Sequence, residues 1–425
     1  MLLSLGGFFE FYDIFFTGYI APGLIRSGLF GTTGIAGFIA AMFSGLFIGT
    51  ALFGFVADRF GRRTIFTVSL LWYTVASVVM AFQHDPKALL FWRFLSGIGV
   101  GVELVTIDTY LAELVPKQLR GRAFAYNQTI QFCSVPLVAL LAWLLVPRAP
   151  LGLEGWRWVV LTGAAGAIFV WWIRLRVPES PRWLAQHGRL AEAEQVLSDL
   201  ERRVEKETGV ALEEPGRPEL TEARGSFREI WQPPYRRRTV MMIVFNLFQT
   251  VGYYGFSNWV PTLLIGRGIA ITSSLRYTFL IAIAAPFGPL LASGIADRIE
   301  RKWQIVLAAF GIAFFGVLFG QLNVVPLLIV FGVLVTLSAN ILSFSSHAYQ
   351  AELYPTRIRA LAVGFTYSWS RFSVVFSSFA IAFFLKRFGV PGVFAFIAGS
   401  MVIVMLAIGI LGPKTNNQAL ESISS

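Results

Sequence analysis

Seven ionisable side chains stand inside apolar runs of this chain: Glu10, Asp13, Arg93, Glu103, Asp108, His347 and Arg371. In a membrane each charged group would cost at least about 2.5–3.5 kcal/mol at mid-depth, so each needs a task. Asp13 and Arg93 carry opposite charges in two different runs. A neighbouring Arg favours the carboxylate, whereas burial favours the neutral acid, so a movement that separates the two takes up a proton. Glu10 lies one helical turn before Asp13 and can share its face. Glu103 and Asp108 are five residues apart and point different ways; Glu103 is nearer the centre of its run and is the better second proton site. Arg371 closes the segment Tyr367-Ser-Trp-Ser-Arg371, and its own run holds no acidic residue. A guanidinium fits a carboxylate bidentately, so Arg371 is expected to hold the anionic group of a small ligand, with a structural acidic partner as the alternative. His347 suits a packing role as well as a ligand contact. Gln128, Gln131, Gln249, Asn258, Tyr12, Tyr253, Tyr254 and Trp369 offer amides and aromatic faces to a ligand, although any one of them can instead join helices. The sequence offers no metal-ligand cluster, phosphate-binding loop or nucleophile triad, so no metal, no cofactor and no enzymatic activity are expected.

These residues lie in elements that composition makes plain. The chain has 425 residues, 56% hydrophobic and only 14% charged, against roughly 25% charged in soluble proteins. Residues 27–57, 124–147, 239–266, 277–296 and 388–413 contain no charged group. A membrane span needs about 20 mostly apolar residues, and a backbone crossing lipid must be helical or in a closed barrel. Twelve helices are predicted, at 3–25, 34–56, 64–82, 88–112, 123–146, 157–175, 238–264, 273–296, 304–322, 325–349, 361–385 and 390–411. The lipid bilayer is therefore a partner. The formal charge of +11 reflects topology rather than nucleic-acid binding, since Arg and Lys cluster in alternate short loops. Arg59, Arg62 and Arg63, Lys117, Arg120 and Arg122, Arg298, Arg301 and Lys302, and Arg357 and Arg359 mark the cytoplasmic side. Both termini then lie inside, as does the segment 177–237. Within that segment residues 184–204 carry an amphipathic helical pattern, and 213–225 is a Pro-, Gly- and Glu-rich linker. The single cysteine, Cys133, allows no internal disulfide.

An internal repeat divides the chain. Asp58-Arg59 returns as Asp297-Arg298, 239 residues on; Ala112-Glu113-Leu-Val-Pro116 returns as Ala351-Glu352-Leu-Tyr-Pro355 at the same offset, and Arg120 as Arg359. The expected architecture is an all-α membrane protein of two six-helix halves, 1–176 and 238–411, with a tail at 412–425. Both halves start on one side, so the repeat is parallel and its axis runs along the membrane normal.

The motifs resemble the major facilitator superfamily over the whole chain. Gly54-Phe-Val-Ala-Asp58-Arg59-Phe-Gly61-Arg62-Arg63 is similar to its signature loop, and Ser293-Gly-Ile-Ala-Asp297-Arg298-Ile-Glu300-Arg301-Lys302 is a degenerate second copy. Arg93-Phe-Leu-Ser-Gly97-Ile-Gly99-Val-Gly101, Glu113-Leu-Val-Pro116-Lys-Gln-Leu-Arg120-Gly121 and Pro178-Glu179-Ser180-Pro181-Arg182-Trp183-Leu184 resemble the sugar-porter and organic-ion-transporter branches. That resemblance implies proton coupling through Asp13 and Arg93. It also implies a cytoplasmic gate built from Asp58, Arg59, Arg62, Arg63, Glu113, Arg120, Glu179, Arg182, Asp297, Arg298, Glu352 and Arg359. The sugar-porter pattern is incomplete, since the expected C-terminal Pro-Glu-Thr-Lys-Gly is replaced by Gly412-Pro413-Lys414-Thr415. The reading is a monomeric proton-coupled symporter of a small organic anion, an aromatic or heterocyclic carboxylate, in a bacterial inner membrane. A sugar or polyol symporter and a drug exporter are the alternatives.

Overall fold

The computed structural model describes residues 2–114, 120–174, 178–209, 226–295 and 298–415. Asp297 and the linker at 213–225 lie outside the described residues, as do the side chains of Asp58, Asp108, Glu113 and Arg120. The first half comprises α1 (Leu2–Tyr19), α2 (Ala21–Arg26), α3 (Thr32–Phe60), α4 (Arg62–Ala81), α5 (Pro86–Leu114), α6 (Arg120–Phe132), α7 (Ser134–Leu145) and α8 (Gly155–Arg174). Then come two helices of the connecting segment, α9 (Pro181–Gln186) and α10 (Leu190–Thr208). The second half holds α11 (Tyr235–Ser257), α12 (Val260–Ile265), α13 (Ile271–Ala282), α14 (Phe287–Ile295), α15 (Arg301–Gln321), α16 (Val325–Glu352) and α17 (Thr356–Leu411).

Seven stretches of the described residues are long and apolar enough by themselves to cross a membrane. The twelve spans appear once broken and merged helices are resolved. Four predicted single spans are each interrupted, giving α1–α2, α6–α7, α11–α12 and α13–α14. Proline explains the breaks: Pro22, Pro136, Pro261 and Pro286 stand at or just after them, and proline both lacks an N–H and crowds the preceding turn. Conversely α17 holds two spans that meet at Gly389, whose φ of 66° is open to glycine at little cost. The amphipathic helix predicted at 184–204 is also two helices, parted where Gly188 takes a φ of 77°.

The two halves meet along α3 against α17 and along α7 against α13. Within the first half, α3 and α5 cross at backbone contact distance. A Cβ on Gly97 would lie 2.2 Å from Met42 O, and one on Gly49 would lie 2.2 Å from Ile98 O. Small residues at such crossings are how membrane helices approach without a hydrophobic drive. This close crossing sets the depth of Arg93, one turn before Gly97.

Candidate functional site

The structure brings Asp13 and Arg93 together. Arg93 Nη1 donates to Asp13 Oδ2 at 2.8 Å, and Nη2 donates to the Asp13 backbone carbonyl at 2.6 Å and to the Thr17 hydroxyl. Ser77 Oγ donates to Asp13 Oδ1 at 3.0 Å, and Ser96 Oγ to Oδ2 at 3.3 Å. The guanidinium carbon lies 4.3 Å from the Phe16 ring centroid. Four elements thus converge: α1 supplies the acid, α5 the guanidinium, α4 a hydroxyl, and α3 the Phe38 ring, whose centroid lies 5.8 Å from the guanidinium carbon. Both charged groups are buried. Removing one charge from such a buried pair strands the other, which is far more costly than breaking an exposed pair.

Arg371 sits in the opposite half, in the first part of α17, and is buried. Its Nη1 donates to Tyr254 Oη at 2.8 Å and its Nη2 to Tyr367 Oη at 2.9 Å. Nε has no partner, and no carboxylate lies within ion-pair distance among the described residues. The carboxylate whose charge acts on Arg371 is Glu10, buried on α1 of the other half. Tyr254 in turn packs on Phe43 of α3, with centroids 4.7 Å apart, so this cluster lies where the halves meet.

The remaining candidates divide. Tyr12 turns away from the cluster and donates to Val159 O of α8 at 2.7 Å, so it packs the first half together. Trp369 lies on the other side of α17 from Arg371, in an edge-to-face row with Phe365 and Phe372. Gln131 is buried against Gly7 of α1, where any Cβ would collide with its amide. Gln249 and Tyr253 are buried on α11, and Gln128 is half-buried on α6. Asn258 is buried at the α11–α12 break, and neither side-chain polar atom has a partner. His347 is exposed in the last two turns of α16; Nδ1 bonds to Ser343 O at 2.7 Å and the ring packs on Tyr367. Glu103 is buried in α5, two turns past Gly97.

At the end bearing the basic loops, Glu179 binds the start of α4. Its Oε1 accepts from Arg63 N at 3.0 Å and from Ser180 N at 2.9 Å. Gly61, with a φ of 96°, leaves room there: a Cβ would lie 2.5 Å from Glu179 Oε2. Arg62 is buried, whereas Arg59, Arg182 and Arg298 are exposed. In the second half Glu352 pairs with Arg301 at 2.7 Å, and Arg359 donates to Tyr354 O at 3.1 Å. Three residues that sequence reasoning left out of the gate make contacts at the same end. Glu300 Oε1 accepts from Thr415 N at 2.8 Å, Lys302 Nζ donates to Gly409 O and Gly412 O at 3.0 Å each, and Arg301 holds Glu352. Glu300 stands 239 residues after Gly61, and that offset was the signal that could have marked it.

Two related six-helix halves, with a buried ion pair in one and a buried cation in the other, fit a membrane transporter rather than an enzyme. The family model described as sugar (and other) transporter matches residues 1–425, and the chain belongs to that family, within the major facilitator superfamily. It is 34% identical over 97% of its length to a putative metabolite transport protein, YyaJ, of Bacillus subtilis, covering 91% of that protein. It is 28% identical to the niacin transporter NiaP of Acinetobacter baylyi over 99% of this chain and 95% of that one. The fold matches the xylose transporter XylE of E. coli in a partially occluded inward open conformation, with a TM-score of 0.79, 19% identity and 98% of both chains covered.

Proposed function

We propose that the chain is a proton-coupled symporter of a small organic anion, an aromatic or heterocyclic carboxylate. In this reading it works as a monomer in a bacterial inner membrane, with both termini and the segment at 177–237 cytoplasmic. The observation that carries the substrate class is Arg371: a buried guanidinium held by two neutral tyrosine hydroxyls, with open donors facing the junction of the halves. A guanidinium so placed suits a planar carboxylate, and the Tyr254 and Tyr367 rings beside it suit an aromatic body. The likeness to a niacin transporter supports the same class, since niacin is a heteroaromatic carboxylic acid. Proton coupling rests on Asp13 and Arg93, with Glu10 and Glu103 as further buried acids. The positive-inside rule sets the orientation, because the basic loops share one end.

A sugar or polyol reading draws on the buried amides of Gln131, Gln249 and Asn258. The two readings separate at residue 371. A charge-assisted bond to a buried anion is worth about 1.5–3 kcal/mol, so Arg371→Ala should weaken binding of benzoate or nicotinate at least about tenfold. Arg371→Lys should restore it in part, and the neutral amides of both ligands should bind independently of residue 371. Undiminished carboxylate affinity in Arg371→Ala would remove the anion reading and favour the sugar.

A further inference from the structure

We propose that His347 is the second anchor of this site and selects ligands whose ring carries a hydrogen-bond donor. The inference rests on the anion reading and adds the chemistry of the ligand's far end. His347 Nδ1 lies 2.7 Å from Ser343 O, one turn back on α16. A carbonyl only accepts, so Nδ1 bears the proton, and in the neutral imidazole Nε2 is then an acceptor. Among the described residues Nε2 has no hydrogen-bond partner, and the ring is exposed in the last two turns of α16, toward Glu352.

The surroundings place that acceptor beside Arg371. The His347 and Tyr367 rings meet edge to face with centroids 5.2 Å apart, and the Arg371 guanidinium lies 4.9 Å from the same Tyr367 centroid. The one Tyr367 ring therefore touches both the cation and the imidazole. A ligand lying along Tyr367 would set its carboxylate on Arg371 and its opposite edge toward His347. At that edge a hydroxyl or N–H meets a lone pair, whereas an ether oxygen sets lone pair against lone pair. A site built to hydrogen-bond a donor rejects analogues lacking it more strongly than a merely apolar pocket rejects a misfit. The ligand class is thus a small aromatic carboxylate with a ring hydroxyl or ring N–H.

The test is calorimetric binding of the purified full chain to benzoate, to 3- and 4-hydroxybenzoate, and to the two methoxybenzoates. One hydroxybenzoate is expected to bind at least about fivefold more tightly than its methyl ether, as one hydrogen bond allows. His347→Phe should erase that preference. Equal affinity of each hydroxybenzoate and its ether in the unaltered protein would overturn the inference, with no variant needed. A preference that persists in a folded His347→Phe would overturn it too. If benzoate binds but not through Arg371, or no benzoate binds, the anion reading itself fails and takes this one with it.

Discussion

A buried guanidinium has few arrangements that satisfy most of it, and Arg93 has found one that leaves only Nε without a partner among the described residues. It spends one nitrogen on the Asp13 carboxylate, a second on the Asp13 carbonyl and Thr17, and its face on Phe16. Arg93→Ala strands the Asp13 charge, and such a loss costs about 3–5 kcal/mol. The melting temperature should fall by several degrees and pH-driven uptake should cease. Arg93→Lys should recover stability only in part, because one ammonium cannot serve the two positions that the fork reaches. Melting curves of the two variants in detergent check this, and equal melting of Lys, Ala and native chains would contradict it. The Asp13–Arg93 pair was legible in the sequence because opposite charges in apolar runs have little else to do. The rotation of α1 was not. Spacing alone put Glu10 on the Asp13 face and left Tyr12 free for a ligand, whereas the Glu10 charge acts on Arg371 and packing ties Tyr12 to α8.

Among the elements, the two ends that begin α4 and α15 repay comparison. Each is a helix N-terminus, the positive end of a dipole, with a carboxylate beside it. In the first half Glu179 brings that carboxylate from the segment following α8, and Gly61 makes room for it. In the second half the loop supplies it as Glu300, which binds Thr415 of the segment following α17. Pro178-Glu179-Ser180 follows the last span of the first half as Pro413-Lys414-Thr415 follows the last span of the second, so the acid has changed sides while the tie has stayed. Glu300→Ala should therefore speed amide exchange in the 412–415 segment about tenfold, the loss of one charge-assisted bond. Lys414→Glu in that background should slow it again. Hydrogen exchange read by mass spectrometry checks both, and a double variant that exchanges no more slowly than Glu300→Ala would contradict the swap. From sequence the second copy looked merely degenerate, because the partner of Glu300 lies 115 residues away. Helix existence was legible from apolar length, but the proline breaks that shorten four spans were not read.

At the scale of the whole molecule, two halves joined along α3–α17 and α7–α13 must rock about a fixed site if transport alternates. At the end away from the basic loops they are held by Lys386 Nζ on Thr33 Oγ1 at 2.7 Å and by Trp143 stacked on Phe279. That end must open during a cycle. Cysteines at 33 and 386, in a chain with Cys133→Ser, joined by a reducible bifunctional thiol reagent should stop flux until the link is reduced. Flux undiminished in the linked protein would contradict alternating access at this junction. The repeat of 239 residues made the paired halves readable from sequence, whereas the side on which they close depends on contacts between residues hundreds of positions apart.

The central claim is that a proton moves with the anion through Asp13. The direct measurement is uptake of labelled nicotinate and benzoate into proteoliposomes under an inward proton gradient, beside exchange of the same ligand at equal pH. The native chain should accumulate at least one of these ligands above its outside concentration, and Asp13→Asn should retain exchange while losing accumulation. Full pH-driven accumulation in Asp13→Asn, or carboxylate uptake by the native chain that ignores the proton gradient, would contradict the account.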